Sequence, residues 1–181
     1  MIALYIIAGI VGFLVLFFLF GLWHLRRSIH QAATELKRVK VEDIAFLSEE
    51  CVRVFSEKLG QELRLDDLES AAWILDNSLA GERTKKAFQR ADFYWYFVKP
   101  VGAFAGELLR HHAGGEWQQE AGRPPYLTRT TVDQATVTTS PFEKVLRHVA
   151  ANGKKGDFYA YLKAGAAMGP PSDAAQHSAG A

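Results

Sequence analysis

Apolar positions fall into distinct regimes along the chain. Residues 2–23, IALYIIAGIVGFLVLFFLFGLW, are 22 consecutive positions without a charge, and the first basic pair, Arg26 and Arg27, follows at once. At about 1.5 Å per residue such a run makes a helix of roughly 33 Å, enough to cross a hydrocarbon core of about 30 Å, so residues 1–23 are expected to form one membrane anchor. Residues 24–40 form a basic juxtamembrane helix, free of Gly and Pro, that continues the first one or resumes after a short break. Residues 41–163 carry periodic apolar patterns of both helical and strand type. The last stretch, 164–181, is built from Ala, Gly, Pro and polar residues with a single Met, and is expected to be a disordered tail.

Within residues 41–163 the spacing of apolar positions predicts a helical start. Over residues 41–59, Val41, Ile44, Ala45, Phe46, Leu47, Cys51, Val52, Val54, Phe55 and Leu59 mark a broad apolar face, and Gly60 is placed to end the helix. Asp66 followed by Glu69 is a capping-box pattern that opens a second helix, with Leu68, Ala72, Leu75 and Leu79 on its inner face, Trp73 and Ile74 widening that face, and Gly81 as its stop. A polar connection, ERTKKAFQR, leads to the most apolar part of the domain, residues 93–109. Lys99 and Pro100 make this a poor second span and a good core helix, kinked or restarted at Pro100, while Gly102, Ala105 and Gly106 allow another element to come close.

After Gly114 and Gly115 the pattern changes to short β-branched and aromatic runs at residues 116–118, 126–129 and 131–138, which predict a two- to three-stranded antiparallel sheet. Ser140, Pro141 and Glu143 then open another helix, and a final short one covers residues 157–163. The fold class is α+β: one N-terminal transmembrane helix followed by a small, mostly helical domain with a small sheet.

Charge adds a direction. All the basic residues flanking the apolar run, Arg26, Arg27, Lys37, Arg38 and Lys40, lie after it. The positive-inside rule therefore puts a short N-terminus outside and the domain in the cytoplasm, at the inner membrane, with the bilayer as one partner. The lone Cys51 excludes an intrachain disulfide and agrees with a reducing compartment. With 21 basic against 20 acidic residues and no concentrated Lys/Arg run, the footprint of a nucleic-acid binder is missing.

Candidate chemistry is thin. There is no GxSxG elbow, P-loop or GxGxxG; Gly153-Lys154-Lys155-Gly156 lacks the Gly-Lys-Ser/Thr ending of a phosphate loop and is read as a solvated turn. The aromatic run at residues 93–97 lacks the interleaved basic residues of a base-stacking platform and is read as core packing. Glu107 and His111 stand four apart on one helix, with His112, Glu116 and Trp117 close by. That set falls short of a zinc site, and a structural role is expected, with Glu107 accepting from nearby backbone or from the Trp117 indole and His111 and His112 favouring the helix C-terminus as cations. No catalytic, cofactor-binding or metal-ligating residue is assigned, and no cofactor is expected.

The order Leu75-Asp76, Gly102, Gly106-Glu107, Gly114-Gly115-Glu116-Trp117 and Pro141-Phe142-Glu143-Lys144-Val145 resembles a family of small bacterial α+β domains of unknown function. The resemblance spans residues 65–162. It implies an α+β fold and no particular activity. The functional expectation is therefore a membrane-anchored protein whose domain acts by binding another protein, with self-association through Ala8 and Gly12 as an added possibility. The alternatives are a membrane-associated enzyme with a site near Glu107, His111 and Trp117, or an accessory subunit of a membrane complex.

Overall fold

A computed structural model describes residues 2–81, 97–131, 135–151 and 153–168, with the side chains of the first helix described at residues 12–23, 26, 27 and 29–36. Among the described residues the protein is mostly helical, with a three-stranded antiparallel sheet. The first helix, α1 (Ile2–Leu36), continues without a break through the basic stretch. Its last turns belong to the domain core, because Ala32 and Leu36 are buried.

This geometry corrects the membrane assignment. Among the described residues no helix is long and apolar enough to cross a membrane. The apolar side chains described before the basic pair are those of residues 12–23. Beyond them the helix turns polar and packs into the domain. The transmembrane anchor, the single-pass inner-membrane location and the orientation argued from basic flanks are withdrawn together.

A short 3-10 turn (Val41–Asp43) leads into α2 (Ile44–Val54), which closes in a π-type turn (Phe55–Leu59). Gly60 ends it with φ of +62°, the left-handed conformation that the Gly was read to provide. The inner face is narrower than the apolar pattern suggests: Ile44, Cys51 and Phe55 are buried, while Val41, Phe46 and Leu59 are exposed.

Helix α3 (Leu68–Ala80) is capped one residue later than expected: Asp67, not Asp66, accepts from the Ser70 N–H at 2.9 Å. Asp66 is instead held by the Arg64 guanidinium. Two adjacent acids offer the same chemistry, and Arg64 takes one of them. Glu69 faces outward and accepts from Tyr159 Oη and Lys163 Nζ.

Helix α4 (Lys99–Ala113) follows directly on a π-type turn at residues 97 and 98 and forms the centre of the domain, with α2 and the two helices after the sheet packed around it. Val101, Phe104, Leu108 and Leu109 on it are fully buried. Residues 93–96, which carry most of the aromatic run, lie outside the described residues, as does the polar connection before them.

The sheet runs in the order β1 (Glu116–Gln118), β2 (Tyr126–Thr130), β3 (Thr136–Thr139), with Trp117 opposite Leu127 and Thr128 opposite Thr138. The third strand starts five residues later than the β-branched run predicts, and residues 132–134 are outside the described set. Helices α5 (Pro141–Ala150) and α6 (Asp157–Ala167) complete the domain. Ser140 precedes Pro141 as expected but its side chain makes no capping bond. Helix α6 runs four residues past the expected end at Lys163, because Gly165 lets it lie directly against Leu109, whose Cδ2 is 2.7 Å from where a Cβ would stand. Residues 169–181, the rest of the expected tail, lie outside the described residues.

Candidate functional site

The Glu107, His111 and Trp117 group is an architectural joint. Glu107 and the Gly at 106 stand on α4, and Trp117 comes from β1. The indole of Trp117 donates to Glu107 Oε1 at 2.7 Å, the bond expected from the sequence. Arg110 closes on the same carboxylate with Nε at 3.0 Å from Oε1 and Nη2 at 2.7 Å from Oε2. Burial raises the Glu107 pKa, but the hydrogen bonds from Arg110 and Trp117 and the Arg110 charge outweigh it and hold the carboxyl below its ordinary value. An acid that is ionised and occupied on both oxygens is poorly placed for proton transfer. His111 is exposed, and His112 is tied through Nε2 to the Leu65 carbonyl oxygen at 2.8 Å. Among the described residues no group of three or more His, Cys, Asp or Glu side chains is arranged to hold a metal ion. Cys51 is fully buried, and burial pushes its thiol pKa up, away from nucleophilic character.

Two glycines of α4 pack closely against aromatic side chains in this part of the fold. A Cβ on Gly106 would lie 2.2 Å from Trp117 Cη2, and one on Gly102 would lie 2.6 Å from Phe142 Cδ1. Trp117 and Phe142 in turn pack with ring centroids 6.0 Å apart. Asp76 accepts from three backbone N–H groups at the start of α6. The recurring glycines, aromatics and acid are therefore accounted for by packing and capping.

Gly153 has a similar task, since a Cβ there would lie 2.2 Å from Nδ1 of the buried His148. Burial lowers the His148 pKa; the carboxylates of Asp76 and Asp157 oppose the shift and Lys144 adds to it. The native pKa is thus below that of the unfolded chain, near 6.5. As pH falls through that value the unfolded chain takes up a proton that the native protein does not, so this group makes stability fall with falling pH until the native pKa is passed. A His148→Leu variant is expected to lose that component, measured as a shallower decline of urea-unfolding free energy between about pH 6.5 and 5.

Sequence reasoning missed the buried cations. Lys99, only 2% exposed, stands 3.9 Å from Glu35 Oε2 of α1, and burial pulls its pKa down while the Glu35 charge pushes it up. Lys99 lines a cavity of about 580 Å³ together with Arg38, Phe46, Leu47, Glu50 and Pro100. Arg129, 4% exposed, lines a second cavity of about 400 Å³. The strand alternation held a signal for Arg129, because it shares the inward face of β2 with Leu127.

The largest exposed apolar surface is on α1. Every residue from 12 to 23 is exposed, including Phe13, Phe17, Phe18, Phe20 and Trp23, and these cover the whole circumference of the helix. No protein-family model, curated protein or solved structure matches the chain.

Proposed function

We propose that the protein works by binding another protein through the apolar segment of α1, with the α+β domain as the body that this helix positions. The observation that carries the reading is the all-round exposure of residues 12–23. Ten large apolar side chains, Phe13 to Phe20 with Leu22 and Trp23, face outward there. Covering them is worth on the order of 15–25 kcal/mol, more than the whole stability of an ordinary domain. A surface of that size marks an interaction site. A partner with apolar helices can enclose it on several sides, and Gly12, with no atom within 4 Å of a Cβ position, leaves room for a close backbone approach.

The test is sizing of the full tagged chain at native expression level in mild detergent, beside a Phe17→Glu variant. A stoichiometric partner protein that cross-links from position 17 and is lost in Phe17→Glu, with the circular dichroism of the domain unchanged, is the expected result. A lone monomer overturns the proposal. Flotation of the purified chain with protein-free phospholipid vesicles, abolished by the same substitution, overturns it as well and makes lipid the cover.

A further inference from the structure

The second cavity holds an unbalanced cation. Arg129 enters from β2, and its Nη2 donates to Thr139 Oγ1 at 3.2 Å. Its Nε and Nη1 are buried and find no acceptor among the described residues. Across the cavity the hydroxyl of Tyr161, on α6, is also buried and without a partner among the described residues. A guanidinium cannot shed its charge, and an uncompensated buried charge costs several kcal/mol. Among the described residues Glu143 is the only carboxylate lining the cavity, and it is exposed and makes no bond to Arg129.

The other lining groups strengthen the same sign. Lys144 and Arg147 come from successive turns of α5, with Lys144 Nζ 5.1 Å from the centre of the Tyr161 ring. Among the described lining residues, three cations, Arg129, Lys144 and Arg147, against the single Glu143 leave a net charge of +2. Thr139 and Ser140 add hydroxyls. Gly165 borders the guanidinium, and a Cβ there would stand in ordinary contact with Nη2 at 3.6 Å.

We propose that this cavity binds a small molecule carrying a phosphate monoester, its phosphoryl oxygens accepting from Arg129 Nε and Nη1 and from Tyr161 Oη. A phosphate dianion matches the net charge of +2, and a guanidinium fork with flanking hydroxyls matches its oxygens. The volume of about 400 Å³ exceeds what phosphate alone fills and lies in the range of small-ligand sites. The site is independent of the α1 surface.

Titration calorimetry of the full chain in mild detergent, with glycerol 3-phosphate, inorganic phosphate and succinate as probes, tests it. The expected result is saturable binding of glycerol 3-phosphate at least about tenfold tighter than succinate, with inorganic phosphate between them. Tyr161→Phe should weaken binding about three- to tenfold, and Arg129→Met about a hundredfold, the loss of charge-assisted hydrogen bonds. If Arg129→Met does not fold, the double variant Lys144→Ala/Arg147→Ala, altered at the cavity edge, should still weaken binding about tenfold or more with unchanged circular dichroism. Absence of saturable binding up to about 10 mM of either phosphate probe, equal affinity in all these variants, or a preference for succinate overturns the proposal.

Discussion

Asp76→Ala is expected to lower the unfolding free energy by about 3–5 kcal/mol, a large fraction of the stability of a domain this size. Helix α6 begins at Gly156, which has no side chain to cap it, and the chain supplies the missing acceptor from α3, 80 residues earlier. Asp76 Oδ2 accepts from the Gly156 N–H at 2.6 Å, and Oδ1 from the N–H groups of Phe158 and Tyr159 at 2.9 and 3.1 Å. Its carboxylate is 3% exposed and sits at the positive end of the helix dipole. Alanine leaves those donors with no protein acceptor, at about 1–3 kcal/mol for each one that water cannot reach. Asp76→Asn keeps an acceptor oxygen and should recover about half of the loss. Urea unfolding gives the free energies, and amide exchange gives the place: protection at Phe158 and Tyr159 should fall far more than at Leu108 and Leu109. Equal loss across all four amides would show that the carboxylate does not act through α6.

Gly106→Ala should cost about 2–4 kcal/mol even though Ala is the better helix former by about 1 kcal/mol. The new methyl would stand 2.2 Å from Trp117 Cη2, 2.3 Å from Cζ2 and 3.2 Å from Pro141 Cγ. The indole must therefore shift, which breaks its bond to Glu107 and disturbs the Phe142 ring behind it. In a Trp117→Leu background the obstruction is gone, and the same Gly106→Ala change should be neutral or slightly stabilising. A double-mutant cycle followed by thermal unfolding measures this, with an expected coupling of about 2–3 kcal/mol. Additive effects would mean that the glycine serves backbone freedom and not the close approach.

These two positions illustrate what the sequence makes legible. The helix starting at Pro141 and the stop at Gly60 are local: a few neighbouring residues with restricted backbone choices decide them, so a linear reading finds them. The bond between Glu107 and Trp117 was also within reach, since only a turn separates the two elements. Asp76 was read merely as part of a helix, because its partners are far away in sequence and nothing local marks an acid as a cap for another helix. Arg129 was hidden for a related reason. On a short strand an Arg is ordinarily solvated, and only the packing of α5 and α6 over β2 takes it out of water.

The apolar run of the first helix taught the opposite lesson. Its length along the sequence suggested a membrane span, and of the two courses expected for the basic stretch the structure shows the continuous one, which reaches Ala32 and Leu36 of the core.

That continuity has a mechanical consequence. The base of α1 is clamped by the buried Ala32 and Leu36, by Glu35 beside Lys99, and by Gln119, which donates to the Val39 carbonyl oxygen at 2.8 Å. Between residues 22 and 36 there is no Gly or Pro to act as a joint. A stiff rod fixed at Ala32 extends about 28 Å to Phe13, so a tilt of roughly 10° at the clamp swings the tip by about 5 Å. Conversely, a force applied at Phe13 arrives as torque on the buried contact between Glu35 and Lys99, at the edge of the larger cavity. The helix is a lever with its fulcrum inside the domain.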